Sequence, residues 1–274
     1  MARLAHRRED RRTFAYSAVL LLATLFASPS LRAQTVCDFG NQPLSPAQPS
    51  GIAPADIIQA FAAKESTFKA ARDRYTYTLD VTIDTLLVSG RPDGEYHQVS
   101  EITPGNNGAL AERVTFAPQN TLRRITLTPD DLDDVRLRLS SALSAEELPL
   151  LSVVYAGRQH VDMLDTYVFD VSPKNARSDK KLFTGRIWVD DQDLVIVKTC
   201  DKPHPDEKAR GSPIGIGKSA ARLTPIFVTY REEIAGQFWF ATYAKADEVL
   251  PFPRGAVHLR EVIRYSDYKP LSLK

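Results

Sequence analysis

From Tyr75 to Asp84 every second side chain is apolar and every residue between is Thr or Asp: Tyr75, Tyr77, Leu79, Val81 and Ile83 alternate with Thr76, Thr78, Asp80, Thr82 and Asp84. Period-two alternation of this purity dictates a strand with one buried and one wet face. Further strands are predicted at short intervals over 95–102, 112–116, 122–127, 151–156, 166–171, 185–189, 194–199, 226–234, 238–244 and 256–265. Gly-, Pro- or Asp-containing turns separate most of them, among them Arg91-Pro92-Asp93-Gly94, residues 104–108, the acidic turn Asp190–Asp193, and Ala235-Gly236. Two segments break the pattern with helical spacing. Pro54 opens the first, where Ile57, Ile58, Phe61, Ala62 and Phe68 recur at three and four, and which ends near Arg74. The second starts at Pro129–Asp134, where the acidic run suits a helix amino end, and continues through Leu143 to Leu148. A helix, about ten antiparallel strands and a second helix predict a mainly β, α+β chain: one curved antiparallel sheet with helices packed on one face. Residues 201–224, polar and rich in Pro and Gly, read as a long loop, and no internal repeat is evident.

The amino terminus carries an address. Arg3, Arg7, Arg8, Arg11 and Arg12 precede an apolar run from Phe14 to Phe26, too short to span a bilayer, followed by Ser28-Pro29-Ser30 and Ala33. That order predicts a secretory signal peptide over 1–33, cut after Ala33, and no transmembrane helix in the mature chain. Cys37 follows Gln34-Thr35-Val36 and lacks the small residues of a lipoprotein signal. The expected product is exported, periplasmic and not lipid-anchored. It has an extended Pro/Ser/Gln-rich leader over 34–53 and a single domain over 54–274. Removing six Arg and two acidic residues with the signal takes the formal charge from +1 to about −3. No clustered basic surface for nucleic acid is visible. Cys37 and Cys200 both survive; an even pair in an oxidising compartment forms one disulfide or remains as two unrelated thiols.

Catalytic and metal signatures are weak. Residues 212–219 mimic a phosphate loop, but Gly211 is one place early and no apolar strand leads in. His97, His160, His204 and His258 are scattered, with no His-Glu-x-x-His and no Cys-x-x-Cys. The clusters Asp130/Asp131/Asp133/Asp134 and Asp190/Asp191/Asp193 lack the Gly and distal Glu of a calcium loop, and read as a helix start and a hairpin turn. No Gly-x-Ser-x-Gly elbow is present. The expectation is a non-enzymatic protein without cofactor or metal. The strand aromatics have two readings: ordinary core, or the lining of a greasy cavity on the concave face. On the second, Tyr77, Leu79, Val81, Phe116, Phe169, Trp188 and Trp239 line a ligand site. An acyl chain suits such a cavity at about 0.8 kcal/mol per buried methylene.

Four segments in order carry a resemblance: the helix start Ile57-Ile58-Gln59-Ala60-Phe61; the hairpin Gly185-Arg186-Ile187-Trp188-Val189-Asp190-Asp191-Gln192-Asp193-Leu194-Val195-Ile196-Val197-Lys198; the strand, turn and aromatic strand Tyr230-Arg231 to Gly236-Gln237-Phe238-Trp239-Phe240; and the tail Ile263-Arg264-Tyr265-Ser266-Asp267-Tyr268-Lys269. Over residues 54–270 the chain resembles the outer-membrane lipoprotein-sorting superfamily of LolA/LolB type, which includes periplasmic sensors. Where relatives are expected to carry Pro after Trp-Phe, this chain has Ala241. The resemblance implies a half β-barrel of about eleven strands, helices closing the open side, a cavity for lipid or lipoprotein acyl chains, and neither cofactor nor catalysis. The implied protein is a monomer that carries acyl chains toward the outer membrane; the alternative is an envelope sensor binding an envelope protein on the same fold. In carriers of this type an Arg on a strand bonds to the helical lid; Arg113, Arg123, Arg124 and Arg158 all compete for that place.

Overall fold

The computed structural model describes residues 37, 42–105, 110–137, 143–175, 182–201, 225–252 and 255–271. The signal-peptide segment, the phosphate-loop mimic, His204 and nearly all of the long loop therefore lie outside the described residues. Among those described, no helix is long and apolar enough to cross a membrane.

Ten strands form one antiparallel sheet: β1 (Tyr75–Leu86), β2 (Pro92–Pro104), β3 (Leu110–Phe116), β4 (Leu151–Val161), β5 (Leu164–Pro173), β6 (Gly185–Asp190), β7 (Ile196–Asp201), β8 (Phe227–Ile234), β9 (Phe238–Phe252) and β10 (Gly255–Pro270). Their spatial order is β3-β2-β1-β10-β9-β8-β7-β6-β5-β4, so the sheet is open, with β3 and β4 at its edges. Two meanders are joined where the last strand pairs with the first, Val81 opposite Ile263 and Leu79 opposite Tyr265. The alternation read from the sequence is realised: Tyr75, Tyr77, Leu79, Val81 and Ile83 are all buried, and the Thr and Asp residues between them are partly exposed.

Register partners trace a single row across the sheet. Gln98, Val81, Ile263, Ala244, Thr229, Thr199, Ile187, Phe169 and Tyr155 each lie opposite the next. Directly opposed residues share a face, so this row defines one side of all strands from β2 to β4. Helix α1 (Pro54–Arg72) packs on it: Phe61 meets Phe169 edge-on at 5.9 Å, and Ile57, Phe61 and Ala62 are buried with Tyr167, Phe169, Ile187 and Ile196. Burying Ile57 and Phe61 contributes about 1.5–3 kcal/mol each. Pro54 starts α1, Asp56 lies in its first turn, and Lys69 and Arg72 in its last, each suited to the helix dipole. Helix α2 (Pro129–Leu137) places Val135 in the cluster that holds Leu79, Val81 and Ile263.

The structure differs from the sequence reading in three places. Residues 122–127 are irregular, not a strand. Arg124 donates to the Leu86 carbonyl and to Asp93, and Leu122, Ile125 and Leu127 pack on the β1 cluster. The segment thus crosses the end of β1–β2 and pairs with no strand. Gly94 permits the crossing, because a Cβ there would lie 2.9 Å from the Thr121 carbonyl. Second, β7 begins at Ile196, because Leu194 adopts φ +50° in the turn and donates to the Asp190 carbonyl. Third, residues 143–147, which the sequence reading placed in the second helix, are not α-helical, and a 3-10 turn follows at Leu148–Leu150. The acidic clusters do what a helix start and a turn require. Thr128 and Asp131 cap one another reciprocally, and the Asp190 carboxylate accepts the amides of Gln192 and Asp193.

Cys37 and Cys200 form a disulfide, Cα to Cα 5.5 Å, across a separation of 163 residues. It anchors the leader beside β7. Further on, Ser45 exchanges both backbone hydrogen bonds with Arg158 at the free edge of β4.

Candidate functional site

Polar alternation on β2 and apolar alternation on β1 meet in a cleft under α2. Leu79 and Val81 form its floor, Leu132 and Val135 of α2 its roof, and Tyr96, Gln98, Glu112 and the buried Ser100 its polar rim. The register places Leu79 opposite Ser100 and Val81 opposite Gln98, which is why a polar pair borders an apolar floor. The rim is one hydrogen-bonded group. Glu112 accepts from Gln98 Nε2 at 2.8 Å and from Ser100 Oγ at 2.7 Å, and Tyr96 Oη donates to Gln98 Oε1 at 2.7 Å. The cleft has room for about one water molecule. An acyl chain enters only if α2 moves outward.

Of the seven residues that the sequence marked as cavity lining, Tyr77, Leu79, Val81 and Phe169 lie on the helix-bearing face. Leu79 and Val81 line the cleft; Phe169 belongs to the cluster under α1, nearer the other edge. Phe116 is 52% exposed, opposite Val99 and edge-on to His97, on the other face. Trp188 is fully buried but also faces away, opposite Lys198, whose Nζ sits 4.5 Å from the indole centroid. Trp239 alternates with Phe238 and Phe240 along β9 and is half-buried in the Trp188 cluster. The structure therefore brings two of the seven to the cleft. The rim group and the two α2 residues were not picked out by sequence. The signal available was Gln98 and Ser100 at alternate positions, but only the pairing with β1 puts them beside Leu79.

The competing arginines resolve differently as well. Arg113 pairs with Glu101, Arg124 with Asp93 and Arg158 with Asp191; Arg123 is exposed. Among the described residues, Arg231 of β8 is a strand arginine that reaches a helix: it donates to Glu65 of α1 at 2.6 Å, both side chains almost wholly buried. Arg72 lies in the same field, its pKa pushed down by burial and then by the charge of Arg231. Burial also lifts the Tyr77 phenol to about 12, with the Glu112 charge adding to the shift.

His97, His160 and His258 each pair with one carboxylate, of Asp80, Asp165 and Asp247 respectively. Among the described residues no three His, Cys, Asp or Glu side chains gather closely enough to hold a metal ion.

No protein-family model and no curated protein matches the chain. Among solved structures it is similar to a LolA superfamily protein from Nitrosomonas europaea, at 15% identity over 77% of this chain and 95% of that one, TM-score 0.33. It is similar to a DUF1329 family protein from Desulfovibrio piger, at 14% identity over 81% and 95%, TM-score 0.39. It is also similar to a chain of the Pseudomonas aeruginosa MucA/MucB complex, at 11% identity over 77% and 99%, TM-score 0.23. No residue's role transfers from these likenesses.

Proposed function

We propose that this chain is an exported, non-catalytic binding protein that takes a lipid or lipoprotein acyl chain between β1–β2 and α2. The observation that carries the reading is the cleft itself: an apolar floor, a roof made by one nine-residue helix, and a polar rim. In this reading α2 swings outward, the acyl chain replaces the contacts of Leu132 and Val135 with Leu79 and Val81, and the head group meets Gln98, Ser100 and Glu112. Apolar burial supplies the affinity at about 0.8 kcal/mol per methylene, and opening the helix subtracts from it. The test is native mass spectrometry of the exported protein before and after denaturing extraction. Bound acyl species that vanish in a folded Leu132→Asp/Val135→Asp variant support the reading. A ligand-free mass, unchanged after incubation with phospholipid and lipopeptide, overturns it.

A second reading, a module that binds another protein, is favoured by the exposed edge strand β3. There Leu110, Val114 and Phe116 are about half exposed. A photo-crosslinker at Val114 that captures one protein in the native compartment, with no lipid found on the purified chain, selects this reading.

A further inference from the structure

The leader lies on the sheet as a strand would. β4 has β5 on one side; on its other side Ser45 donates its amide to the Arg158 carbonyl and accepts the Arg158 amide, both at 2.8 Å. Two side chains extend the contact. Tyr155 Oη donates to the Ala47 carbonyl at 2.7 Å, and Gln159 Nε2 donates to the Gln42 carbonyl at 2.6 Å. Gln159 is buried and pre-set for this. Its amide oxygen is held by the Trp188 indole N–H at 2.6 Å, which fixes which way the NH2 group points. Gly157 makes the approach possible: at φ +143° its missing Cβ would stand 2.2 Å from the Ser45 carbonyl oxygen and 3.4 Å from a Leu44 methyl.

These contacts share one property: every hydrogen bond reaches the backbone of the leader, and none reads its side chains. Leu44 of the leader packs inward here, partly buried against the Trp188 cluster. An edge strand that recognises backbone, beside a pocket for one apolar side chain and a gap for the chain that follows it, has the features of a strand-addition site. Upstream on β4, Val154 is 58% exposed.

We propose that the free edge of β4 is a docking site for an extended peptide segment of another protein, with an apolar residue followed by a small one, and that residues 42–49 occupy it as an internal competitor. The Cys37–Cys200 bond at one end and α1 at the other keep this competitor at high effective concentration. A partner peptide therefore displaces it only when its own edge contacts are stronger or more numerous, for instance by continuing along Val154.

The test uses the full chain and a fluorescein-labelled peptide with the sequence of residues 42–49. Leu44→Asp/Ser45→Pro removes the packed side chain and one bridging amide, freeing the edge. The expected anisotropy titration is saturable and at least tenfold tighter for this variant than for the unaltered chain, and adding Gly157→Val abolishes it. No binding to the folded variant, equal binding to both chains, or indifference to Gly157→Val overturns the proposal. Should the variant not fold, hydrogen exchange on the unaltered chain decides. Millimolar peptide must speed exchange at the Ser45 amide while the Arg158 amide stays protected; an unchanged Ser45 rate overturns the proposal.

Discussion

Arg231 of β8 and Glu65 of α1 form an ion pair at 2.6 Å, with 11% and 4% of their side-chain surfaces exposed. It joins the long helix to the sheet, and Arg72 shares its field. Removing one member of a buried pair costs more than the pair contributes, because the other charge stays desolvated. The two members are not equivalent. With Arg231 gone, Glu65 still has Arg72 near it; with Glu65 gone, two guanidinium groups are left repelling one another. Glu65→Ala is expected to lower stability by about 3–5 kcal/mol, and Arg231→Ala by distinctly less. Urea denaturation of both variants checks the order; equal losses would contradict it.

Asp84 on β1 has its pKa raised by burial and by the nearby Glu95 charge, and its Oδ1 is buried without a hydrogen bond. A carboxyl whose folded pKa exceeds its unfolded value of about 3.8 binds its proton more tightly when folded. Its contribution is favourable below that value and is lost as pH rises through the folded pKa. Asp84→Asn is therefore expected to raise the denaturation midpoint at pH 7 and to have no effect at pH 3, measured as Tm against pH.

Tyr77 behaves the same way at the other end of the scale. Its phenol moves from 10.0 to about 12, chiefly through burial. The folded state favours the protonated form, so stability holds below pH 10 and falls as pH rises toward 12. A shift of that size corresponds to about 2–3 kcal/mol. Tyr77→Phe should make the alkaline limb between pH 10 and 12 shallower, leaving the fall due to Tyr268, whose phenol burial also raises. An alkaline limb unchanged by the substitution would contradict this.

The Cys37–Cys200 bond closes a loop of 163 residues, and both half-cystines are buried. Constraint of so long a loop in the unfolded chain makes Cys37→Ala/Cys200→Ala about 2–5 kcal/mol less stable. Because the bond also seats the leader, the amides of Ser45 and Arg158 should exchange faster in the variant, read by hydrogen exchange. Protection equal to that of the oxidised chain would show that the leader holds the β4 edge without it.

How much was legible in the sequence is clearest along β1 and between residues 122 and 127. Alternation over Tyr75–Asp84 has a single interpretation, because a period of two puts all five apolar side chains on one face of an extended chain. Residues 122–127 carry strand-like residues too, yet Arg124 reaches the Leu86 carbonyl and Asp93, and the segment becomes a crossing. Nothing local signals that Arg124 has a carbonyl 38 residues away within reach.

The sequence by itself determined most of the strands and the start of both helices, since alternation and capping act over a few neighbours, but it left open whether Cys37 and Cys200 are bonded. It also supplied Leu79 and Val81 as candidates. Only the tertiary structure decided the faces of Phe116 and Trp188, the place of Gln98, Ser100 and Glu112 beside Leu79, the partner of Arg231, and the seat of the leader on β4. Each of these depends on which strands pair and in what register. A one-residue shift of register reverses a side chain's face, and no local property of the chain fixes it.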